Sequence, residues 1–486
     1  MKTIHELAKM LEKGETTSVA LTEECLRIAD TGSDSTRAFL LIDRENALAA
    51  ARASDARRAM GQSLGVLDGI PVAIKDCIVE KGKRATAGSK ILKTFISPFS
   101  ATVVEKLVVA GAVPIGRTNM DEFAMGSSTE NSAFGPSRNP WDLSRVPGGS
   151  SGGSAVAVTE GSAVFALGTD TGGSIRQPAA LCGVTGLKPT YGRVSRYGLM
   201  AMASSLDQAG PFTKTAQDAA TVLRVIEGAD VKDSTSVELE DAWKIPEQLM
   251  GNVKGMRIGL PKEYFVEGMD AGVSSAVREA VKVLENAGAV ISEVSLPHAE
   301  QALAVYYILM PCEVSANLSR YDGIRYGSRV DGKTLMDVYK ESRGKGFGVE
   351  ARRRIMLGTY ALSAGYYDAY YLKAQKVRRL IAEDFARVFA DVDCILTPTT
   401  PTTAWKIGEK GDDPVTMYLS DIYTVSVNVA GLPAISVPCG FAGGMPVGLQ
   451  FIGKQFDEKT ILEAAHGYQL ATDWHTKTPH SSIDVI

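Results

Sequence analysis

The chain has 486 residues, of which 45% are hydrophobic, and carries 52 Lys and Arg against 56 Asp and Glu. At roughly 150 residues per domain, this length allows one large domain or two to three small ones. The net charge of −4 argues against tight binding of a polyanion by this chain alone. The longest apolar runs are far shorter than the roughly 20 residues of a membrane span, and residues 1–15 lack the apolar core of a secretory signal. We therefore expect a soluble cytoplasmic protein.

The cysteine and histidine patterns argue against a metal centre. No two of the six cysteines lie within forty residues of each other, and no CxxC pair occurs, so we predict buried, reduced thiols. No histidine lies between residues 6 and 297, and there is no HExxH motif. The sequence therefore predicts no catalytic metal in this chain.

The N-terminal part of the chain predicts helices. Thr3 and Glu6 form a capping-box pattern, which predicts a helix that ends at Gly14. A second helix is predicted after Thr17, and an Ala- and Arg-rich stretch predicts a third over about 40–60. We expect this helical segment to cover residues 1–60.

The pattern then changes to alternating strands and helices. Residues 66–75 predict a turn that leads into a buried strand, followed by a helix at 101–110 and a strand at 112–116. The same alternation returns as a strand at 256–260, a helix at 274–286 and a strand at 289–296. This order predicts an α/β fold around a mostly parallel or mixed sheet.

Residues 300–390 have a different composition, with ten tyrosines and helical patterns such as the one over 361–389. Strands are predicted again at 392–396, 434–438 and 447–452. Because strands lie on both sides of this helical insert, we favour one large domain over 1–486, with a core at 61–230.

Two Gly- and Ser-rich loops are the main candidates for a functional site: residues 148–154, GGSSGGS, and residues 169–176, TDTGGSIR. Such loops expose backbone N–H groups and allow close approach of a substrate. A flexible linker would not be followed at once by an apolar helix pattern. A phosphate-binding loop would need a lysine directly after it, and neither loop has one.

Acyl transfer by a serine is the remaining interpretation. Residues 148–152 also match the G-x-S-x-G elbow of the α/β-hydrolases, but no strand pattern leads into Ser150, so we consider this match accidental. Without a nearby histidine, a buried neutral lysine can serve as the base. Lys75 ends an apolar strand pattern and fits this role, although it could instead pair with Asp76.

These features together resemble the amidase signature family. The loops at 148–154 and 169–176, with Lys75 in PVAIKD, match its motifs, and 75 residues separate Lys75 from Ser150 and 24 separate Ser150 from Ser174. The resemblance implies a large mixed β-sheet covered by helices on both faces, with a helical insert around 300–390. It also implies a set of site residues, namely the triad Lys75, Ser150 and Ser174, an oxyanion hole at the N–H groups of Thr171, Gly172, Gly173 and Ser174, and supporting residues Asp170 and Arg176.

In the implied mechanism, Ser174 is the nucleophile and Ser150, on a cis peptide bond, relays its proton to neutral Lys75. Within the family, residues 317–326, 352–358 and 414–421 are similar to the A subunits of bacterial glutamyl-tRNA(Gln) amidotransferases. That similarity implies a glutaminase that assembles with subunits B and C as a heterotrimer. It also implies that Glu-tRNA(Gln), ATP and Mg²⁺ are bound by the partner subunit, with no cofactor in this chain.

The same similarity implies the residues that select glutamine. Arg354 would bind the α-carboxylate and Asp421 the α-ammonium, with Ser127 and a tyrosine, Tyr306 rather than Tyr307, in support. Arg354 could instead lie on a solvated helix face, and Asp421 could be an ordinary helix-cap or surface acid. A free-standing amidase acting on small amides and a non-catalytic nucleotide-binding or scaffold protein remain alternative functions.

Overall fold

The computed structural model describes residues 2–265, 268–411 and 413–479. The helices, in chain order, are α1 Ile4–Glu12, α2 Ser18–Gly32, α3 Arg44–Ala59, α4 Thr102–Val109, α5 Gly152–Glu160, α6 Arg176–Cys182, α7 Ala216–Ile226, α8 Ala271–Asn286, α9 Ala302–Asn317, α10 Leu335–Gly346, α11 Val349–Ala361, α12 Lys373–Asp391, α13 Pro414–Tyr418, α14 Val425–Ala430 and α15 Glu458–Leu470. The strands are β1 Phe39–Ile42, β2 Pro71–Lys75, β3 Val113–Thr118, β4 Phe165–Asp170, β5 Thr185–Lys188, β6 Gln208–Thr213, β7 Arg257–Pro261, β8 Val290–Val294, β9 Cys394–Pro398, β10 Ala434–Ala442 and β11 Met445–Ile452.

These strands form one mixed sheet in the order β1-β3-β2-β4-β6-β5-β10-β11-β9-β7-β8. Strand β2 runs parallel to β3 and β4, whereas β4 pairs antiparallel with β6, and β10 with β11. Every residue of β2, β4 and β9 is buried. Because successive side chains point to opposite faces of a sheet, both faces are covered at its centre. The predicted α/β fold with a large mixed sheet is confirmed.

The parallel pair β2 and β4 brings the two halves of the site together. Ile74 of β2 lies opposite Leu167 of β4, so the next residue, Lys75, ends its strand beside the end of β4. The carboxyl ends of parallel strands meet at one edge of a sheet, where binding sites commonly lie. Helix α5 begins at Gly152, inside the first Gly- and Ser-rich loop, and α6 begins at Arg176, the last residue of the second.

The first helices follow their local sequence signals. The Thr3 side chain accepts the N–H of Glu6, and the Glu6 carboxylate accepts the N–H of Thr3, which completes the capping box of α1. Thr17 caps α2 with a single hydrogen bond, in which its side chain accepts the N–H of Ala20. The third predicted helix is only partly right, because its first residues form β1 and α3 begins at Arg44.

One further expectation needs correction. The single helix predicted over 361–389 is wrong: α11 ends at Ala361, Gly365 takes a positive φ of 88°, and a π-helical turn at Asp368–Leu372 leads into α12. Strands β5 and β6 were not predicted. Strand β5 has only four residues, and β6 contains a glycine and a proline, which normally argue against a strand.

All six cysteines are buried and unbridged, as predicted. Within the described ranges, no helix is long and apolar enough to cross a membrane. In the same ranges, no cluster of His, Cys, Asp and Glu side chains could hold a metal ion. The division of the chain into segments 1–60, 61–230 and 300–390 remains a prediction.

Candidate active site

Lys75 is fully buried at the end of β2. Its Nζ lies 2.8 Å from Ser150 Oγ and 2.7 Å from Ser151 Oγ. It also lies 2.8 Å from Thr169 Oγ1, at the end of β4. The predicted hydrogen bond between Lys75 and Ser150 is therefore present, and the lysine faces hydroxyl groups contributed by both loops.

The alternative pairing of Lys75 with Asp76 is wrong. The Asp76 carboxylate instead accepts the N–H of Thr86 at 2.8 Å and the Thr86 hydroxyl. Burial lowers the pKa of Lys75 from its ordinary value, and the nearby acidic groups, such as Asp121 and Asp170, offset this only in part. A lysine in this position is therefore easier to deprotonate than one in water.

Ser150 lies in a loop that is held close to the β3 side of the sheet. Its peptide bond with Gly149 is cis, and its carbonyl accepts the N–H of Asp121 at 3.2 Å. A Cβ at Gly149 would collide with Asp121 Oδ2, so this approach requires glycine. No strand leads into Ser150, and the G-x-S-x-G match is thus not a strand-to-helix elbow.

Ser174 lies between β4 and α6 and is 8% exposed. Its carbonyl accepts the N–H of Ser151 at 3.3 Å, which brings the two loops into contact. The Ser174 hydroxyl makes no hydrogen bond to any residue that the structure describes. A hydroxyl in this position is free to contact a substrate.

The backbone N–H groups near Ser174 differ in whether they already have a hydrogen-bond acceptor. Those of Thr171, Gly172 and Ser174 make no hydrogen bond within the described part of the chain. The N–H of Gly173 donates to Asp170 Oδ1 at 2.8 Å, and the hydroxyl of Thr171 donates to Asp207 at 2.7 Å. Gly173 was predicted in the oxyanion hole, but its N–H already has an acceptor in this structure.

Asp170 and Arg176 form a fully buried ion pair beneath this loop, with Arg176 Nε 3.0 Å from Asp170 Oδ2. Arg176 also donates to Thr424 O at 3.2 Å and to Gln450 Oε1 at 3.0 Å, and Asn428 donates to Asp170 at 2.8 Å. Burial alone would raise the pKa of Asp170, but the Arg176 guanidinium outweighs it and holds that pKa well below its usual range. The pair fixes both ends of the loop that contains Ser174.

Asp421 is 7% exposed, so the alternative of a surface acid is wrong. Its carboxylate accepts the hydroxyl of Ser127 at 2.5 Å. Burial raises the pKa of Asp421 to about 7, against the lowering effects of the Ser127 hydrogen bond and the Arg354 charge. Thr424 donates to Gly172 O at 2.7 Å and lies 3.0 Å from Asp421 O, which connects Asp421 to the Ser174 loop.

Arg354 is 2% exposed, and the alternative of a solvated helix face is also wrong. Its neighbour Arg352 points outwards and is exposed. Arg354 Nε donates to Glu350 Oε1 at 2.7 Å. Its guanidinium carbon lies 5.3 Å from the ring centre of Tyr307 and 5.4 Å from that of Tyr418, within the range of cation–π attraction.

The two adjacent tyrosines contact different parts of the site. A Cβ at Gly172 would lie 2.7 Å from Tyr306 Oη, so the Tyr306 hydroxyl lies against the loop that precedes Ser174. Tyr307 instead contacts Arg354 and stacks on Tyr418, with ring centres 3.9 Å apart. Tyr306, favoured from the sequence, is therefore the nearer of the two to the candidate nucleophile loop.

Comparisons with known sequences agree with this geometry. The family model described as Amidase matches residues 20–462. The chain belongs to the amidase family. A Chloroflexus aurantiacus protein, named as the A subunit of glutamyl-tRNA(Gln) amidotransferase, is 58% identical over 469 residues, which cover 96% of each chain. A protein of the same name in Thioalkalivibrio sulfidiphilus is 57% identical over 479 residues, which cover 98% of this chain and 99% of the relative.

Solved structures of other amidases have the same fold. The crystal structure of the glutamyl-tRNA(Gln) amidotransferase A subunit from Thermotoga maritima superposes with a TM-score of 0.79 at 45% identity, covering 96% of this chain and 94% of that one. The peptide amidase from Stenotrophomonas maltophilia superposes with a TM-score of 0.84 at 31% identity, covering 99% and 98%. The fold is thus shared by amidases that differ in name, and the fold alone does not choose the substrate.

The sequence missed several residues that complete the site. Ser151 and Thr169 lie inside the two recognised loops, but only the structure shows that both contact Lys75. Glu350, one helical turn before Arg354, could have been found from its i,i+4 spacing. Thr424 and Asn428 carry no local signal, since they reach the Ser174 loop only through the packing of α14.

Proposed function

We propose that this chain hydrolyses glutamine through an acyl-enzyme on Ser174, as the A subunit of a glutamyl-tRNA(Gln) amidotransferase. The observation that carries the proposal is the buried Lys75 within 2.8 Å of Ser150 Oγ, in a loop that touches the Ser174 loop. The names of the most similar relatives support the choice of substrate. The charge of −4 suits a protein that leaves tRNA binding to a partner.

Lys75 acts as the base, and its three hydroxyl neighbours can accommodate the neutral form. A neutral amine has two N–H groups and one lone pair. The Ser151 hydroxyl donates to the Thr169 carbonyl at 3.1 Å, so Ser151 Oγ accepts from Lys75. Thr169 Oγ1 accepts the second N–H, which leaves the lone pair for the hydroxyl proton of Ser150.

In the acylation step, Ser174 Oγ attacks the side-chain amide carbon of glutamine. Its proton passes to Ser150 Oγ while Ser150 gives its own proton to Lys75 Nζ. The carbonyl electrons move onto the oxygen, which the N–H groups of Thr171, Gly172 and Ser174 stabilise, a contribution typically worth several kcal/mol. The carbon–nitrogen bond then breaks, and ammonia leaves with the proton returned from Lys75 through Ser150.

In the deacylation step, water attacks the glutamyl ester on Ser174, with Ser150 and Lys75 again accepting a proton and returning it to Ser174. Glutamate is released, and the enzyme returns to its starting protonation state. Splitting amide hydrolysis into two acyl transfers replaces one difficult step with two easier ones. The proton transfer requires the hydroxyls of Ser150 and Ser174 to meet, and the hydrogen bond from Ser151 N–H to Ser174 O holds their loops together.

Selection of glutamine requires one fixed cation and one fixed anion. Arg354 binds the α-carboxylate, for which a planar guanidinium is well suited. Asp421, held by Ser127, accepts the α-ammonium group, and Tyr306 lines the path to the Ser174 loop. Replacing Arg354 or Asp421 with alanine should raise the KM for glutamine strongly and leave ammonium-dependent amidation intact.

Ammonia released into water would be lost, so the chain works in a heterotrimer with subunits B and C. The partner holds Glu-tRNA(Gln) and uses ATP and Mg²⁺ to activate the glutamyl group, in the cytoplasm. The deciding experiment mixes the purified chain with these partners and measures conversion of Glu-tRNA(Gln) to Gln-tRNA(Gln) with glutamine as donor. Size-exclusion chromatography of the same mixture should show co-elution at micromolar concentration.

The outcomes separate this proposal from its alternatives. Glutaminase activity that rises with the partners and charged tRNA supports a role in the amidotransferase. Robust hydrolysis of varied small amides without partners would favour a free-standing amidase. Absence of hydrolysis of every amide, together with a bound nucleotide, would favour a non-catalytic protein.

A further inference from the structure

Glu122 is a buried carboxylate that belongs to neither the triad nor the residues assigned to glutamine. It is 2% exposed, and its Oε2 accepts the backbone N–H of Gly348 at 2.8 Å. Its Oε1 accepts the hydroxyl of Ser89, which also lies 3.3 Å from the carbonyl oxygen of Gly346. Glu122 and Ser89 therefore hold the turn between α10 and α11 from the side of the core.

This turn positions helix α11. Gly348 is the N-cap residue of α11, and Glu122 accepts its backbone N–H, the group that a Glu at N3 accepts in a capping box; position N3 here is Ala351. A Cβ at Gly348 would lie 2.6 Å from Glu122 Oε2, so a larger residue at position 348 would displace this carboxylate. The Phe347 ring packs against Phe123, with centres 5.7 Å apart. Arg354 follows Gly348 by about 9 Å along the helix axis, at 1.5 Å per residue.

Glu122 also begins the loop that carries Ser127. Three residues of this loop that are not glycine have positive φ angles, namely Phe123 at 49°, Ala124 at 62° and Thr129 at 66°. Each such conformation costs on the order of 1 kcal/mol and persists only when surrounding contacts enforce it. Strain of this kind is typical of segments that position a functional group, and the group here is Ser127, which holds Asp421.

We propose that Glu122 is a positioning residue that sets the separation between Arg354 and Asp421, the two charges that select glutamine. It ties the start of α11 to the loop in which Ser127 holds Asp421. The proposal rests on the proposed function, because it concerns recognition of the α-carboxylate and α-ammonium groups. Without this tie, α11 shifts relative to Asp421, which weakens glutamine binding and leaves the triad in place.

The tie depends on hydrogen-bond geometry rather than on negative charge. A glutamine at position 122 keeps both contacts: its carbonyl oxygen accepts from Gly348, and its amide donates to Ser89, whose hydroxyl turns to the carbonyl of Gly346. Burial raises the pKa of Glu122 to about 7, outweighing the hydrogen bonds from Ser89 and Gly348. In the wild-type protein the Glu122 side chain is therefore already partly neutral near pH 7.

The test compares Glu122→Ala, Glu122→Gln and Glu160→Ala in the assembled amidotransferase. Glu160 is a matched control: it accepts the hydroxyls of Thr36 at 2.7 Å and Ser162 at 2.6 Å, and burial also raises its pKa to about 7. We expect Glu122→Ala to raise the KM for glutamine about tenfold or more and to change kcat by less than about threefold. Glu122→Gln and Glu160→Ala should stay within about twofold of the wild-type KM.

An unchanged KM in folded Glu122→Ala would overturn the proposal. An equal rise in Glu160→Ala would also overturn it, because the effect would then reflect general loss of stability. If Glu122→Ala does not fold, Glu122→Asp draws the carboxylate back by one methylene and should give the same rise in KM; an unchanged KM would again count against the proposal.

A second readout does not depend on glutamine. The first hydrogen bond of α11 runs from Arg352 N–H to Gly348 O at 3.1 Å. Amide hydrogen exchange over residues 352–356 should be faster in Glu122→Ala than in Glu160→Ala. If the wild-type complex does not hydrolyse glutamine, the proposed function fails. The exchange comparison then decides whether Glu122 holds α11, and equal exchange in the two variants would end the proposal.

Discussion

Replacing Lys75 with methionine removes the proposed base and leaves an unbranched side chain of about the same length. The position is fully buried, so an apolar replacement avoids both a cavity and an unpaired charge. Ser151 keeps its hydrogen bond to the Thr169 carbonyl at 3.1 Å. We therefore expect Lys75→Met to fold and to lose activity through chemistry rather than through unfolding.

The size of the loss follows from the role of the base. General acid–base catalysis contributes about 10²- to 10⁴-fold, which is about 2.7 to 5.5 kcal/mol of barrier. An ordinary lysine would be neutral in about one molecule in 2,500 at pH 7, and burial increases that fraction for Lys75. We expect kcat for glutamine to fall about 10²- to 10⁴-fold and KM to change by less than about threefold.

The assay measures ammonia released from glutamine across a range of pH, with ammonium-dependent amidation as an internal control. Wild-type kcat/KM should fall as pH drops below the pKa of Lys75, because the protonated amine cannot accept a proton, and Lys75→Met should lack this acidic limb. Lys188→Met is the matched control: Lys188 is 2% exposed, donates to the Pro189 carbonyl, and has its pKa lowered to about 7 chiefly by burial. A Lys75→Met variant with more than a third of wild-type kcat, or with the limb intact, would refute the relay.

Three further predictions follow from the same geometry. Ser174→Ala should abolish glutamine-dependent amidation and spare amidation from free ammonium, as measured with each donor in turn; loss of both in an assembled complex would contradict the assignment. Burial raises the pKa of Asp421 to about 7, so protonation should raise the KM for glutamine as pH falls from about 8 to about 6. Asp421→Asn should show a high KM without this pH dependence, and a pH profile like that of the wild type would exclude Asp421 as the ammonium ligand. Asp170→Asn leaves Arg176 buried without its counter-charge, which should cost about 3–5 kcal/mol in the free energy of unfolding by urea; a cost below about 1 kcal/mol would show that the pair is not needed for stability.

Some features of the site could be predicted because their signals are local. The loops at 148–154 and 169–176 are recognisable from composition alone, because exposed backbone N–H groups and close approach both require glycine. Lys75 stood out as a charge in an apolar strand. The capping box at Thr3 and Glu6 likewise set the start of α1, since all its hydrogen bonds lie within four residues.

Other local patterns were ambiguous without the rest of the fold. The Ala-rich stretch over 40–60 predicts a helix, but its first residues pair with β3 and form a strand instead. Strand β6 contains Gly210 and Pro211 and exists because β4 and β5 pair with it on either side. Tertiary pairing overrides intrinsic preference in such short segments.

What the sequence by itself determined is the chemistry: an α/β amidase fold and a lysine with two serines in glycine-rich loops. The tertiary structure decided which groups meet. Arg354 and its neighbour Arg352 are the same residue type, yet one is buried beside Tyr307 and the other is exposed. The N–H of Gly173 donates to Asp170, and the TDTGGSIR motif by itself does not indicate this hydrogen bond. The local structure of a segment depends on near neighbours in the chain. Contacts between distant segments depend on how the whole sheet and its helices pack, and only the folded chain contains that information.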